Sequence, residues 1–286
     1  MNIFITGIKG FIASHLSQHL KEQGFSVSGS SSKPASPEHD SRPGGKVFTQ
    51  RLGDPVEGSI FSGMDVVVHC AHDFQKGALN KNVEGTLALA EAAERRGVKR
   101  QIFISSLSSR SDAQSEYGKS KFATEGYFKK IGGTIIRPGT VLGEGGIFGK
   151  MVHLIKTSPI VPLLDGGNSQ LYVIGLDDLC RSLYKIINSS GNREEYNLYY
   201  PETVTLKEML LTMRSLSGSR TLLIPIPSAI LVFPLSLLNK LGIKLPIDIE
   251  NLRGFIKSQA MIYQSDLPKL LAYSFSLEDV LKRNCN

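Results

Sequence analysis

Apolar and polar residues alternate with two different periods along this chain. Residues 1–6 form a short apolar run around Ile3, Phe4 and Ile5, the pattern of a strand buried on both faces of a parallel sheet. A glycine-bearing turn follows. Over residues 11–22 the period lengthens, with Leu16 and Leu20 on one face of a predicted helix that Gly24 ends. Residues 25–29 read as a weak second strand, and 46–52 as a third after a Ser/Pro/Gly-rich loop over 30–45. Residues 64–70, with Val66, Val67 and Val68, are a strong fourth. An Ala/Leu/Glu-rich helix over 80–96, a strand over 101–105, a helix over 117–130 and a strand over 133–137 complete the regular part. This alternation predicts an α/β fold with a doubly wound parallel sheet. Beyond Pro138 the pattern loosens, with Gly-rich (143–149) and Pro/Gly-rich (159–167) stretches. The expected organisation is a sheet domain over residues 1–142 plus about 171–200. A smaller, mainly helical C-terminal lobe would cover about 143–170 and 201–286, over the carboxyl edge of the sheet, where such folds bind ligands.

Composition narrows the class. The 286 residues are 41% apolar and 21% charged, which supports a real core and excludes wholesale disorder. Cys70, Cys180 and Cys285 lie far apart with no ligand spacing, so neither a disulfide scaffold nor a metal site is expected. The first apolar residues already belong to a strand, so no secretory signal is expected and the reducing cytoplasm is the expected compartment. The longest apolar stretch, 222–238, is short for a membrane span and contains Pro225, Pro227 and Pro234. The net charge of +7 is the one skewed quantity. Its densest group, Arg95, Arg96, Lys99 and Arg100, lies at a predicted helix end, where cations complement the dipole. The rest is scattered, which favours small anionic ligands over nucleic acid.

The first turn carries the strongest local signal. Thr6-Gly7-Ile8-Lys9-Gly10-Phe11-Ile12-Ala13 lies between an apolar strand and an amphipathic helix. A dinucleotide site of the Rossmann type needs a tight turn, a bare backbone beside the pyrophosphate and a small residue where helix meets strand; Gly7, Gly10 and Ala13 fit. The helix start, with Phe11 and Ile12, directs free N–H groups at the phosphates. The second strand ends in Ser31-Ser32-Lys33, without the carboxylate that would hold the ribose of NAD. With Lys9 in the loop, these residues suit a 2′-phosphate, so NADP is preferred to NAD.

A second constellation lies downstream. Ser105 and Ser106 close the fifth strand, and Tyr117 and Lys121 are four residues apart on one helix face. An ammonium near the phenol is expected to lower the tyrosine pKa and suit it to proton transfer. A serine at the strand end can hold the substrate oxygen.

Taken in order, these motifs resemble the extended short-chain dehydrogenases/reductases of the NAD-dependent epimerase/dehydratase type. The resemblance also rests on Gly53-Asp54, Asp65-Val-Val-Val-His69-Cys-Ala71, Asn82-Val-Glu-Gly85-Thr86, Arg137-Pro138-Gly139-Thr140-Val141-Leu142-Gly143 and Leu176-Asp177-Asp178-Leu179. It implies an oxidoreductase or epimerase with Tyr117 as acid/base, Lys121 on the nicotinamide ribose and Ser106 as the catalytic serine, with Ser105 and Ser108 as competitors. It further implies that Asp54 faces the adenine, Ala71 lies along the cofactor, Asn82 supports the nicotinamide end and Pro138 starts a loop packed on the nicotinamide face. The expected substrate is a small molecule such as a nucleotide sugar, and a homodimer through the helices of Asn82 and Tyr117 is the family habit. A cofactor-binding scaffold without turnover is the competing reading.

Other positions carry less. His69, on a buried strand, reads as a core histidine, and Asp178 as a helix cap. His72 and Asp73 follow the fourth strand and are candidates for substrate contact or loop anchoring. The loop from Ser106 to Tyr117 is shorter than in many sugar-nucleotide members, and Leu171 and Thr140 stand where those members often carry arginine and asparagine. Thr140 is retained as a substrate candidate. Arg253 is a candidate for a substrate phosphate.

Overall fold

The structure is a computed structural model and describes residues 1–34, 45–189, 194–227 and 264–284. In chain order its first half contains β1 (Asn2–Thr6), α1 (Phe11–Glu22), β2 (Ser26–Ser31), β3 (Val47–Thr49), β4 (Val66–His69), α2 (Leu79–Arg95), β5 (Arg100–Ile104), α3 (Glu116–Lys130) and β6 (Thr134–Pro138). The second half contains β7 (Thr140–Leu142), α4 (Gly146–Thr157), β8 (Ile160–Leu164), β9 (Gln170–Leu171), β10 (Val173–Gly175), α5 (Leu176–Asn188), β11 (Glu195–Leu198), β12 (Val204–Thr205), α6 (Leu206–Ser217) and β13 (Leu222–Ile226). Two short helices, Leu267–Leu270 and Leu277–Asn284, follow.

One seven-stranded sheet dominates, in the order β3-β2-β1-β4-β5-β6-β11, and every neighbouring pair is parallel. The order reverses direction between β1 and β4, the switch point where doubly wound sheets open a ligand crevice at their carboxyl ends. Period-two alternation sorts the core. On β1, Ile3 and Ile5 join Leu16 and Leu20 of α1 and Leu183 and Ile187 of α5 on one face, while Phe4 joins Val67 and Leu89 on the other.

The predicted strands stand within a few residues of their expected bounds. The sequence pattern stops at six strands; the structure adds β11, which pairs with β6 from Glu195↔Ile135 to Leu198↔Pro138. Its pattern is too short and polar to register as a buried strand. The weak second strand is in fact buried over most of its length. Its residues are small because the neighbours are close: a Cβ on Gly29 would lie 2.4 Å from the Ile5 carbonyl and 2.8 Å from Ile8.

Residues 228–263, much of the expected helical lobe, lie outside the described residues. Among the described residues beyond β6, α4, α5 and α6 stand beside three two-stranded ladders, β7/β10, β8/β13 and β9/β12. Thr205 and Glu208 close α6 with a capping box, and Gly218 ends it in the left-handed conformation. Asp178 is not a helix cap. Gly175 holds that position on α5, and buried Asp178 accepts a hydrogen bond from Tyr200 Oη at 2.5 Å and pairs with Arg181 at 3.0 Å.

Candidate active site

The phosphate loop is built by close approach. Gly7 has φ of +66°, a conformation that side chains strain to adopt. A Cβ there would also stand 2.9 Å from Ala71 Cα. Thr6 Oγ1 holds the partner segment by accepting the N–H groups of Cys70 and Ala71, each at 3.1 Å. The Gly10 N–H donates to the Gly7 carbonyl at 2.7 Å, and Gly10 caps α1 without a side chain. A Cβ on Gly10 would meet only the Gly7 carbonyl, so the loop's outer face is a bare backbone cradle. Ala13 is fully buried against the sheet. Gly7→Val is expected to cost about 1–2 kcal/mol in urea unfolding from the left-handed φ alone. It is also expected to weaken dinucleotide binding in fluorescence titration, and unchanged values of both would refute this account of the loop.

The Ser, Tyr and Lys residues converge at the carboxyl ends of β4 and β5. The Ser106 hydroxyl lies near enough to the Tyr117 phenol to lower its pKa. The Ser106 Oγ also accepts the Ser108 N–H at 3.1 Å. Ser105 turns away and donates to Glu125 at 2.5 Å in the core. Lys121, buried on α3, donates to the Ile104 carbonyl at 2.7 Å. Its Nζ lies 4.7 Å from the Phe103 ring centroid and 5.7 Å from that of Tyr117. Burial pulls the Lys121 pKa down to about 8, against the opposing fields of Cys70 and Glu125.

The electrostatics differ from expectation at Tyr117. Burial raises its pKa above the ordinary phenol value, and the nearby Ser106 hydroxyl only draws it part of the way back. Desolvation of the buried phenol outweighs the pull of Ser106. The protonated phenol is therefore the form poised here at neutral pH.

α3 is locked to the sheet from below. Arg137 on β6 grips Glu125 with Nε at 2.9 Å and Nη2 at 2.5 Å, and reaches Glu195 on β11 with Nη1 at 2.6 Å. Lys129 also pairs with Glu195 at 2.5 Å. Burial opposes the Arg137 charge, but the two carboxylates outweigh it and raise its pKa.

A loop after β4 walls the site. The Asn82 side chain clamps both main-chain groups of Asp73, accepting its N–H at 2.7 Å and donating to its carbonyl at 2.8 Å. His72 meets the Tyr117 ring edge-on at 4.9 Å between centroids. Burial, with Lys121 nearby, drives the His72 pKa down to about 3 despite Asp73, so the imidazole is neutral.

A family profile described as NAD dependent epimerase/dehydratase family matches residues 3–198, from β1 through β11. The chain belongs to this family. No curated protein matches it in sequence. Among solved structures, a Thermotoga maritima UDP-glucose 4-epimerase with UDP-glucose superimposes with a TM-score of 0.68 at 19% identity, over 90% of this chain and 98% of that one. The Bordetella bronchiseptica enzyme WbmH in complex with NAD+ gives 0.65 at 20% identity, over 79% and 85%. The tunicamycin-biosynthesis dehydratase TunA, an NAD dependent NDP-hexosamine 5,6-dehydratase, gives 0.65 at 17% identity, over 90% and 97%. At these identities the likeness establishes a shared fold.

In this epimerase/dehydratase family member, the expected dinucleotide residues surround the switch point. Gly7, Lys9, Gly10, Phe11 and Ile12 form the loop and helix start, with Ala71 against it and Asn82 beyond. Pro138 closes β6 beside the Ser106 loop, its carbonyl accepting the Leu107 N–H at 3.4 Å. Ser31, Ser32 and Lys33 end β2, and Asp54 sits exposed in the turn after β3. Sequence reasoning missed Arg51, whose Nε donates to the Ser32 carbonyl at 3.0 Å. Lys9 Nζ donates to the Pro34 carbonyl at 3.1 Å, so two cations brace the end of β2. An arginine after a short third strand carries no local signal; only the parallel β2–β3 pairing brings it there.

Thr140 is buried on β7 with no hydrogen-bond partner for its hydroxyl. His69 is a core residue: Nε2 shares a 2.8 Å hydrogen bond with Gln101, and burial lowers its pKa to about 4. Tyr172 packs on Tyr199, with ring centroids 4.7 Å apart. Arg253 lies outside the described residues. Among the described residues there is no cluster of three metal-ligating side chains and no helix long and apolar enough to cross a membrane.

Proposed function

We infer that this chain is an NAD(P)-dependent oxidoreductase or epimerase acting on a nucleotide sugar or a similar keto/hydroxyl substrate. The observation that carries this reading is the buried Lys121 Nζ, 5.7 Å from the Tyr117 ring centroid and bonded to the end of β5, with Ser106 beside the phenol, at the same sheet edge as the glycine cradle. A dinucleotide fits the residues present. The bare Gly7–Gly10 backbone and the start of α1 would hold the pyrophosphate, and Lys121 the nicotinamide ribose. When bound, the nicotinamide supplies or accepts the hydride.

The chain's own groups do the proton work. In the reducing direction, Tyr117 Oη donates its proton to the substrate oxygen while the Ser106 hydroxyl holds that oxygen. The raised phenol pKa keeps the proton on Tyr117 until the oxygen gains charge. In the oxidising direction the phenolate form of Tyr117 receives the hydroxyl proton, with Ser106 holding the same oxygen. Epimerisation joins the two directions, with the keto intermediate turning over between them. The proposed substrate lobe covers about 143–170 and 201–286, of which the structure describes 143–170, 201–227 and 264–284.

The dinucleotide is proposed to be NADP(H). Support comes from Lys9, Lys33 and Arg51 around the exposed Ser32, and from the absence of a carboxylate at the end of β2. A 2′-phosphate there would receive charge-assisted hydrogen bonds. Arg51→Ala is expected to lower the preference for NADPH over NADH by about tenfold, the loss of one such bond. The ratio of dissociation constants from fluorescence titration measures it. A wild-type preference for NADH, or a ratio that Arg51→Ala leaves unchanged, would refute the NADP(H) assignment. The hydride-transfer reading itself is tested by mixing the loaded protein with UDP-hexoses and following nicotinamide absorbance and sugar epimers.

A further inference from the structure

Phe74 belongs to none of the motifs above, yet it is a large apolar side chain, 82% exposed, at the mouth of the candidate site. Its ring lies nearly parallel to that of Tyr117, with 19° between the planes and 5.8 Å between centroids. It meets His72 edge-on at 4.8 Å. Because His72 also meets Tyr117, the three rings form one wall. The loop beneath them is held at three points. Asn82 clamps the Asp73 main chain, Lys81 pairs with the Asp73 carboxylate at 2.8 Å, and the Gly77 N–H donates to Glu116 of α3 at 2.8 Å. A lone exposed apolar side chain on a surface needs no explanation. A phenyl ring beside the candidate acid/base on a pinned loop is different, because the backbone that carries it is held on both sides while most of its surface faces outward.

We propose that Phe74 is a substrate-contacting residue that receives the flat C–H face of a hexose ring and so selects which sugars reach Tyr117. This rests on the nucleotide-sugar reading above. A phenyl face carries negative potential and attracts polarised C–H groups. Covering it with a pyranose face also removes apolar surface on both partners from water. One side of the Phe74 ring is taken by Tyr117, so a sugar stacked on the exposed part lies beside the phenol whose proton it exchanges. Recognition by Phe74 is therefore specific to the sugar moiety and indifferent to the nucleotide.

The test is calorimetric titration of the full chain, loaded with the dinucleotide it binds more tightly. The probes are UDP-glucose, UDP-galactose, UDP-N-acetylglucosamine and UDP alone, and turnover is measured in parallel. Phe74→Ala is expected to weaken the sugar nucleotide that binds best by at least about tenfold, with UDP changed by less than about twofold. Phe74→Tyr, which keeps the aromatic face, is expected to recover most of the affinity. Because Phe74 is exposed, both variants are expected to melt with the wild type, and Phe74→Leu serves as a third variant of similar bulk without the aromatic face. Equal losses for UDP and the sugar nucleotides, no loss at all, or a wild-type chain that binds none of the three sugars would overturn the proposal. Phe74-dependent sugar binding without hydride exchange would sink the catalytic reading and leave this one standing. Turnover with sugar affinities indifferent to Phe74→Ala would do the reverse.

Discussion

Tyr117→Phe will lower hydride transfer by about 10²–10⁴-fold, the usual contribution of a positioned general acid–base group. The change removes one oxygen. The ring keeps its place beside His72 and Phe74, because those contacts are made ring to ring. The glycine cradle is untouched, so dinucleotide affinity should stay within about twofold. Single-turnover absorbance at the nicotinamide band separates the two quantities. Undiminished transfer would remove Tyr117 from the chemistry. The wild type adds a directional pH test. Since burial raises the phenol pKa, Tyr117 keeps its proton at neutral pH. Reduction of a ketone should therefore hold its rate there, whereas oxidation of an alcohol should accelerate as pH rises toward the phenol's titration. Lys121 starts to lose its own charge near pH 8, so weaker ribose binding should accompany that rise.

Arg137→Leu is expected to have the largest effect on stability, a loss of about 3–5 kcal/mol. Arg137 and Glu125 are 5% and 3% exposed, and removing the guanidinium leaves the Glu125 carboxylate buried with only the Ser105 hydroxyl donating to it. Glu195 fares better because it keeps Lys129 and is partly exposed. Urea unfolding would read the loss, and melting should fall by roughly 10 °C for a chain of this size. The double variant Glu125→Leu/Arg137→Leu should recover more than half of the loss, since an uncompensated buried charge, rather than a missing attraction, is the main penalty. A double variant as unstable as the sum of its singles would contradict that account.

The local chemistry of the site was legible where spacing carries it. Gly7, Gly10 and Ala13 follow from what a phosphate loop needs, and Tyr117 and Lys121 from the rise of one helical turn. Ser106 was separable from Ser105 only in three dimensions, because adjacent residues on an extended segment point opposite ways and sequence does not say which faces the core. Ser105 proved to belong to the Glu125–Arg137 network. Arg51 was invisible because its place depends on the lateral pairing of β2 with β3, and β11 because the chain returns to pair with β6 only after a long excursion. The direction of the Tyr117 shift was misjudged for a related reason. Sequence shows that a lysine is one turn away, but not how deeply the fold buries the phenol.

The contact between Gly7 and Ala71 has a thermodynamic corollary. Ala71 immediately precedes His72, so the phosphate loop leans directly on the start of the segment that carries the aromatic wall. No intervening element cushions one from the other. A dinucleotide that shifts the first loop by a few tenths of an ångström would transmit that shift to the second. Linkage is reciprocal: whatever factor the dinucleotide exerts on affinity for the second ligand, that ligand returns to the dinucleotide. If both ligands bind as proposed, the two halves of the cleft would act as one binding unit, with occupancy of either end felt at the other.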